Sequence, residues 1–304
     1  MRGAGPLLRT GSAFSPTAAD LARGARSLQV RSRREVAGAL AGGYRSAFRG
    51  GGLEFEESRA YAPGDDIRAI DWNLYARLDR LFVKTYKEEI ALSVELMVDA
   101  TASMGLPTPE KFERAKQLAV SLGYIGLAEH HHVRLSWIRP GPITASPWFH
   151  QRGDLFRMAE LGMAQQLEGQ TELADWMRRT TAALRIHGGQ AILMTDGMVR
   201  PADFFRALHA LMVRNLEVKV IQILTDEELH PARFVRGGVL VDVETGATHQ
   251  LAYTPAELAR AVADHNELLV RFCKRHGIPF AQHRLSDPLE TFITKTLPAH
   301  GFLE

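Results

Sequence analysis

From residue 90 onward, short apolar runs alternate with longer stretches of helical periodicity, and that alternation restricts the chain to a mostly parallel sheet covered by helices. Strands are predicted at about 91–98, 133–138, 191–195, 217–224 and 279–284. Helices are predicted at about 109–130, 154–166, 172–187, 201–214, 255–276 and 288–297. Thr108-Pro109 and Thr254-Pro255 read as helix starts, with a hydroxyl cap and proline at the first helical position. Asp287-Pro288 reads the same way with a carboxylate cap. Apolar runs on either side of Thr245-Gly246 predict a β-hairpin inserted near 235–251.

The first of these strands runs straight into chemistry. Residues 95–105 read Glu-Leu-Met-Val-Asp-Ala-Thr-Ala-Ser-Met-Gly, so Asp99 stands at the carboxyl end of an apolar strand with Thr101 and Ser103 after it. One carboxylate and two hydroxyls in that arrangement place three hard oxygen donors around one point, a set suited to Mg²⁺. In an open α/β sheet that point is also where ligands bind. The same residues also read as a helix cap followed by turn residues. Two later stretches favour the metal reading. Gly169-Gln170-Thr171 puts a further hydroxyl on a glycine-containing loop, and Ala191-Ile-Leu-Met-Thr195-Asp196-Gly197 is a second apolar strand ending in an aspartate.

The set Asp99, Thr101, Ser103, Thr171 and Asp196 resembles the metal-ion-dependent adhesion site of von Willebrand factor A domains, whose pattern is Asp-x-Ser-x-Ser, then a distant Thr, then a distant Asp. Thr101 departs from it by standing where the family usually has serine, which keeps the hydroxyl and adds a methyl. The resemblance implies a von Willebrand A-like, doubly wound fold over residues 90–304. It also implies a Mg²⁺ (or Mn²⁺) ion held by these five residues, with one position left for an acidic residue of a partner protein.

A second resemblance covers the preceding segment. Residues 48–89 contain Phe-Arg-Gly-Gly-Gly-Leu-Glu-Phe, then Arg59-Ala-Tyr61-Ala-Pro-Gly-Asp65-Asp66-Ile-Arg68-Ala-Ile-Asp71-Trp72-Asn73, then Lys84-Thr-Tyr-Lys-Glu88-Glu89. This run is similar to the signature of domain-of-unknown-function family 58. Members of that family often accompany MoxR-type AAA+ ATPases, so the resemblance implies such an ATPase as partner.

Charge is spread unevenly along the chain. Residues 1–50 carry nine arginines against Asp20 and Glu35, a net +7. Leu21, Ala25, Leu28, Val36 and Leu40 recur at roughly helical spacing, so one or two amphipathic helices are predicted over about 18–46. A basic face there could meet an acidic partner or nucleic acid, but a solvated face is the favoured reading, and nucleic acid is not expected. Between residues 53 and 89, nine acids face six bases. Arg59, Arg68 and Arg77 are interleaved with Asp65, Asp66 and Asp71, which predicts a network of ion pairs and turns rather than a second metal cluster.

Other chemistries find little support. The single cysteine, Cys273, excludes an intramolecular disulfide, fits a reducing compartment, and lies in a helical pattern as a small hydrophobe. No apolar run approaches the length that spans a bilayer, so a cytoplasmic location is expected. No phosphate-binding loop follows Gly50–Gly52, and no serine sits in a Gly-x-Ser-x-Gly elbow. His130-His131-His132 would point about 100° apart on a helix, which makes a shared metal difficult. The expectation is therefore a basic segment (1–50), a signature segment (51–89) docked on the main domain, and an interaction module (90–304) that is not an enzyme. The module would act as partner or adaptor of the ATPase in protein assembly or maturation. The alternative is a haloacid-dehalogenase-like phosphatase with Asp99 as nucleophile, but that class wants a second acid where Thr101 stands.

Overall fold

A computed structural model describes residues 30, 53–65, 67–88, 91–141, 144–169, 173–183, 188–234, 239–241, 248–250 and 254–304. The first two strands, β1 (Leu53–Ala60) and β2 (Phe82–Glu88), pair antiparallel with an irregularity between Phe55 and Glu57. Between them lies a short helix, α1 (Trp72–Leu78). Asp71 caps that helix through Oδ1, which accepts from the amides of Asn73 and Leu74, and its Oδ2 lies 3.7 Å from Lys84.

The central sheet contains β3 (Ser93–Asp99), β4 (His132–Ile138), β5 (Thr144–Ala145), β6 (Gln190–Thr195), β7 (Glu217–Leu224) and β10 (Phe280–Arg284). The small hairpin β8 (Val239–Val241) and β9 (Thr248–Gln250) is separate from it. In space the order is β10-β7-β6-β3-β4-β5, with every neighbouring pair parallel except β4 with β5. This is the doubly wound order in which the chain builds outward from β3 in one direction, then returns to its other side at β6. The expected fold class is the one observed.

Each sheet face carries its own core, and residue alternation assigns side chains to them. Val94, Leu96 and Val98 of β3 pack with α2 (Glu110–Ala128) through Phe112, Ala115, Leu118 and Leu122, and with α3 (Leu155–Met163) through Leu155 and Met158. Met97 faces the other side. There α4 (Leu173–Ala183), α5 (Pro201–Met212) and a later helix, α8 (Pro255–Arg275), contribute Trp176, Met177, Phe204, Leu208, Leu269 and Cys273. The short helices α6 (Asp226–Leu229) and α7 (Pro231–Phe234) follow β7. Gly189 precedes β6 at φ +85°, and a Cβ there would lie 2.2 Å from the Ser93 carbonyl oxygen, so only glycine lets the chain enter β6 this close to β3.

Strand and helix predictions over 90–276 agree with these elements to within a few residues, and the predicted hairpin is β8–β9. Apart from Val30, whose backbone forms an antiparallel bridge with Leu303, the helices predicted over 18–46 lie outside the described residues. Three readings need correction. The helix predicted over 288–297 is broken into Leu289–Thr291, a π turn over Phe292–Thr296 and Leu297–Ala299, and Pro288 rather than Asp287 stands at its start without a side-chain cap. The edge strand β5 was not predicted; at two residues it is too short to carry a periodic signal.

The third concerns the charged network of the signature segment, which the described residues show in part. Arg59 and Asp65 form a bidentate pair at 2.6 and 2.8 Å near the surface, whereas Asp71 serves a helix cap and Lys84 rather than an arginine. Asp66 lies outside the described residues. Among the described residues no helix is long and apolar enough to cross a membrane.

Candidate metal centre

Parallel pairing puts Val98 of β3 opposite Met194 of β6, so the carboxyl ends of these two strands emerge side by side where the strand order reverses. Asp99 ends β3 and is almost fully buried. Its Oδ1 accepts from the Thr101 amide at 3.1 Å and the Thr101 hydroxyl at 2.6 Å, while Oδ2 accepts from the Thr195 hydroxyl at 2.7 Å. Thr101 leads into a 3-10 turn over Ala102–Gly105, which brings Ser103 Oγ to 3.1 Å from Thr101 Oγ1. The structure therefore groups Asp99, Thr101 and Ser103 as a connected set of oxygens.

Thr171 lies outside the described residues. The loop before it is fixed: the Glu168 amide donates to Ala100 O at 2.9 Å and Gly169 O accepts from the Ala102 amide at 2.8 Å. The described chain thus stops at Gly169 beside the backbone of the Asp99–Ser103 turn.

Asp196 follows β6 and is equally buried. Its Oδ1 accepts from the Met198 amide at 2.9 Å, and its Oδ2 lies 3.0 Å from Lys111 Nζ. Gly197, at φ +70°, turns the chain away beneath α8, where a Cβ would come within 3.0 Å of Leu269. Its amide donates to Thr195 Oγ1, and its carbonyl oxygen lies 2.9 Å from His265 Nε2. Lys111, in the first turn of α2, is wholly buried, and its Nζ also reaches Glu228 Oε1 at 2.6 Å. Glu228 belongs to α6, where it completes a capping box with Thr225.

Three participants were missed in the sequence: Lys111, Thr195 and Glu228. Lys111 was findable, because it stands four, seven, eight and eleven positions before Ala115, Leu118, Ala119 and Leu122, on the apolar stripe of its own helix. Glu228 ends a Thr-x-x-Glu pattern, which reads locally as a cap and hides the partner that its other oxygen takes.

Burial, and then the charge of Asp196, push the Asp99 carboxyl up to about 6. Burial likewise raises Glu228 despite Lys111. Two buried carboxylates in mutual repulsion, with hydroxyl oxygens beside them, fit a hard divalent cation. Among the described residues no group of three or more His, Cys, Asp or Glu side chains could hold a metal, so the donor chemistry here is that of two carboxylates plus hydroxyls. Of the three consecutive histidines, His131 is held down to about 4, first by burial, and His132 begins β4 with its ring 4.6 Å from that of His150. Burial pushes the Cys273 thiol up to about 12, as befits an inert core residue.

The Asp99 shift sets a pH dependence. Its folded value of about 6 lies above the ordinary aspartate value of 3.8, so in the metal-free protein the stabilising proton is present at low pH and lost as pH rises through 6. A metal needs the ionised form. Mg²⁺ affinity is therefore expected to be flat above pH 7 and to fall about tenfold per unit below pH 6. Calorimetry at pH 5.5 in buffers of different ionisation enthalpy should show release of about three-quarters of a proton, nearly absent at pH 7.5; pH-independent binding would refute it.

The family described as "Protein of unknown function DUF58" matches residues 57–267. Uncharacterized proteins of Mycobacterium bovis and Mycobacterium tuberculosis are each 28% identical over 277 residues, spanning 87% of this chain and 84% of the relative. Similar solved structures include the conserved hypothetical protein BatB from Bacteroides thetaiotaomicron (14% identity, 69% of this chain, 98% of that one, TM-score 0.41). A von Willebrand factor type A structure from Catenulispora acidiphila is 19% identical over 62% of this chain and 43% of that one, with TM-score 0.36. Manganese-loaded TRAP protein from Plasmodium vivax is 14% identical over 71% of this chain and 75% of that one, with TM-score 0.37.

Proposed function

The chain belongs to the DUF58 family, and we propose on that premise that it is a metal-dependent protein-interaction module. One observation carries this reading. Two buried carboxylates, Asp99 and Asp196, meet at the reversal point of the sheet, and the hydroxyls of Thr101 and Ser103 stand beside Asp99 within 3.1 Å of each other. Thr101, Ser103 and Thr171 would give neutral oxygens to the ion, with Asp99 and Asp196 supplying charge and orienting water. A bound Mg²⁺ (or Mn²⁺) would supply one electrophilic position for a carboxylate of the partner.

This chain's own residues do the rest. Thr195 and the Thr101 amide fix the Asp99 carboxylate in one orientation, and the Met198 amide does the same for Asp196. The family resemblance adds a MoxR-type AAA+ ATPase as the partner, with a role as adaptor in protein assembly or maturation. The lone buried cysteine favours the cytoplasm as the place of action.

The decisive experiment is reconstitution of the full chain with that ATPase in Mg²⁺, then in EDTA. The complex is expected to dissociate on chelation and re-form on adding Mg²⁺. Persistence in EDTA would overturn the mechanism. At the level of single ligands, Thr101→Ser should bind Mg²⁺ as well as the parent or slightly better, because the donor atom is kept. Thr101→Val keeps the shape without the hydroxyl and should bind about tenfold more weakly, the effect of one lost hydrogen-bonding group. Equal affinity of valine and threonine forms would remove Thr101 from the ligand set.

A further inference from the structure

We propose that Lys111 is a resident counter-cation of the metal centre, which competes with the divalent ion for Asp196 and ties that ion's binding to the seating of α6. This rests on the metal reading above and adds a residue outside the Asp-x-Thr-x-Ser, Thr, Asp set. A lysine with no exposure to water is uncommon, because its ammonium must be paired on all sides to tolerate burial. Lys111 meets the requirement with two carboxylates from different elements, Asp196 Oδ2 at 3.0 Å after β6 and Glu228 Oε1 at 2.6 Å in α6.

Neither carboxylate is free to follow the lysine elsewhere. Glu228 Oε2 is held by the Thr225 amide at 2.8 Å and the Thr225 hydroxyl at 3.2 Å, so moving Glu228 uncaps α6. Asp196 Oδ1 is held by Met198. The buried group thus contains three carboxylates, Asp99, Asp196 and Glu228, and one ammonium. When all are ionised the excess is two negative charges, the complement of one divalent cation.

Opposite effects follow from removing the two ends of this pair. Lys111→Met deletes a positive charge from the site while filling most of the same volume, so Mg²⁺ should bind about tenfold more tightly or better. Glu228→Gln deletes a negative charge and leaves the whole of Lys111 to Asp196, so Mg²⁺ should bind about tenfold more weakly. In the double variant the two changes cancel in charge, and affinity should return close to that of the parent. A purely structural salt bridge would not produce opposite signs, since both single changes would loosen the same contacts.

Calorimetric titration of the four full-length proteins with MgCl2 tests this, with hydrogen exchange of residues 226–229 as a second readout. Mg²⁺ should change protection of α6 in the parent and leave it unchanged in Lys111→Met. Weaker binding in both single variants overturns the role of Lys111 while leaving the metal site standing. No binding in the folded parent overturns the metal reading itself. Should Lys111→Met fail to fold, Glu228→Gln decides alone, because it keeps the lysine: tighter binding there refutes the proposal.

Discussion

Replacing Asp99 with alanine is expected to abolish Mg²⁺ binding, lowering affinity by at least about a hundredfold, while the sheet stays folded. The carboxylate is the charge that β3 brings to the site, and it orients Thr101 through two hydrogen bonds and Thr195 through a third. Losing a full charge beside the ion in a buried site costs about 3 kcal/mol or more, which corresponds to that factor. The fold should tolerate the change because the ionised carboxylate is itself disfavoured there, as its upward shift to about 6 shows. Metal-free alanine protein should therefore be no less stable at pH 7.5 than the metal-free parent beyond the cost of a small void. Mg²⁺ titration by calorimetry, with urea unfolding of both proteins in EDTA, measures the two halves of this expectation. Unchanged affinity would remove Asp99 from the site.

The second large effect lies away from the site, inside the sheet. Arg134 on β4 stands beside Glu95 on β3, with Nε 2.8 Å from Glu95 Oε2, and both side chains are buried. Ser136 donates to the other oxygen of Glu95, and the guanidinium lies 4.3 Å from the Trp148 ring. Burial raises the Glu95 carboxyl, and Arg134 is the largest influence opposing that shift. Arg134→Met should cost about 3–5 kcal/mol at pH 7.5, because it leaves a buried carboxylate without its cation. Glu95 would then hold a proton more tightly than in the parent, so the lost stability should be partly regained as pH is lowered toward 5 and lost again as pH rises. Joint replacement of Glu95 and Arg134 by leucine should cost far less than Arg134→Met alone. Urea midpoints at the two pH values decide the matter; equal midpoints for Arg134→Met and the parent would show that the pair contributes nothing.

What could be read in advance was whatever is encoded in local periodicity. The β3, β4, β6, β7 and β10 strands and the five long helices were legible because each carries a single hydrophobic period along its length. Asp99 and Asp196 were legible as carboxylates at strand ends, and the sheet does bring those two ends side by side. Lys111 was obscured by its residue type: a lysine is normally assigned to the solvated face, and only its position on the apolar stripe says otherwise. The Glu95–Arg134 pair needed the register of β3 against β4, a relation between residues 39 apart that neither strand encodes alone. The break at 288–299 escaped for the opposite reason, since the local pattern there is helical while the observed path changes from α to π turn and back.

The bridge between Val30 and Leu303 has a consequence for how the protein is made. Val30 also donates its amide to Glu129 at 2.9 Å, yet its strand partner is synthesised 273 residues later. The core on that face likewise waits for Phe292, Ile293, Leu297 and Phe302, and β7 keeps an unpaired edge until Phe280–Arg284 leave the ribosome. Translation at about 5–20 residues per second makes that wait tens of seconds or less. Throughout it, the nascent chain presents an open sheet edge and half of a hydrophobic layer, the surfaces on which chaperones act. Completion of the fold therefore waits for residues 280–303, and the yield of native protein should depend more on chaperone supply than on the speed at which its first two hundred residues are translated.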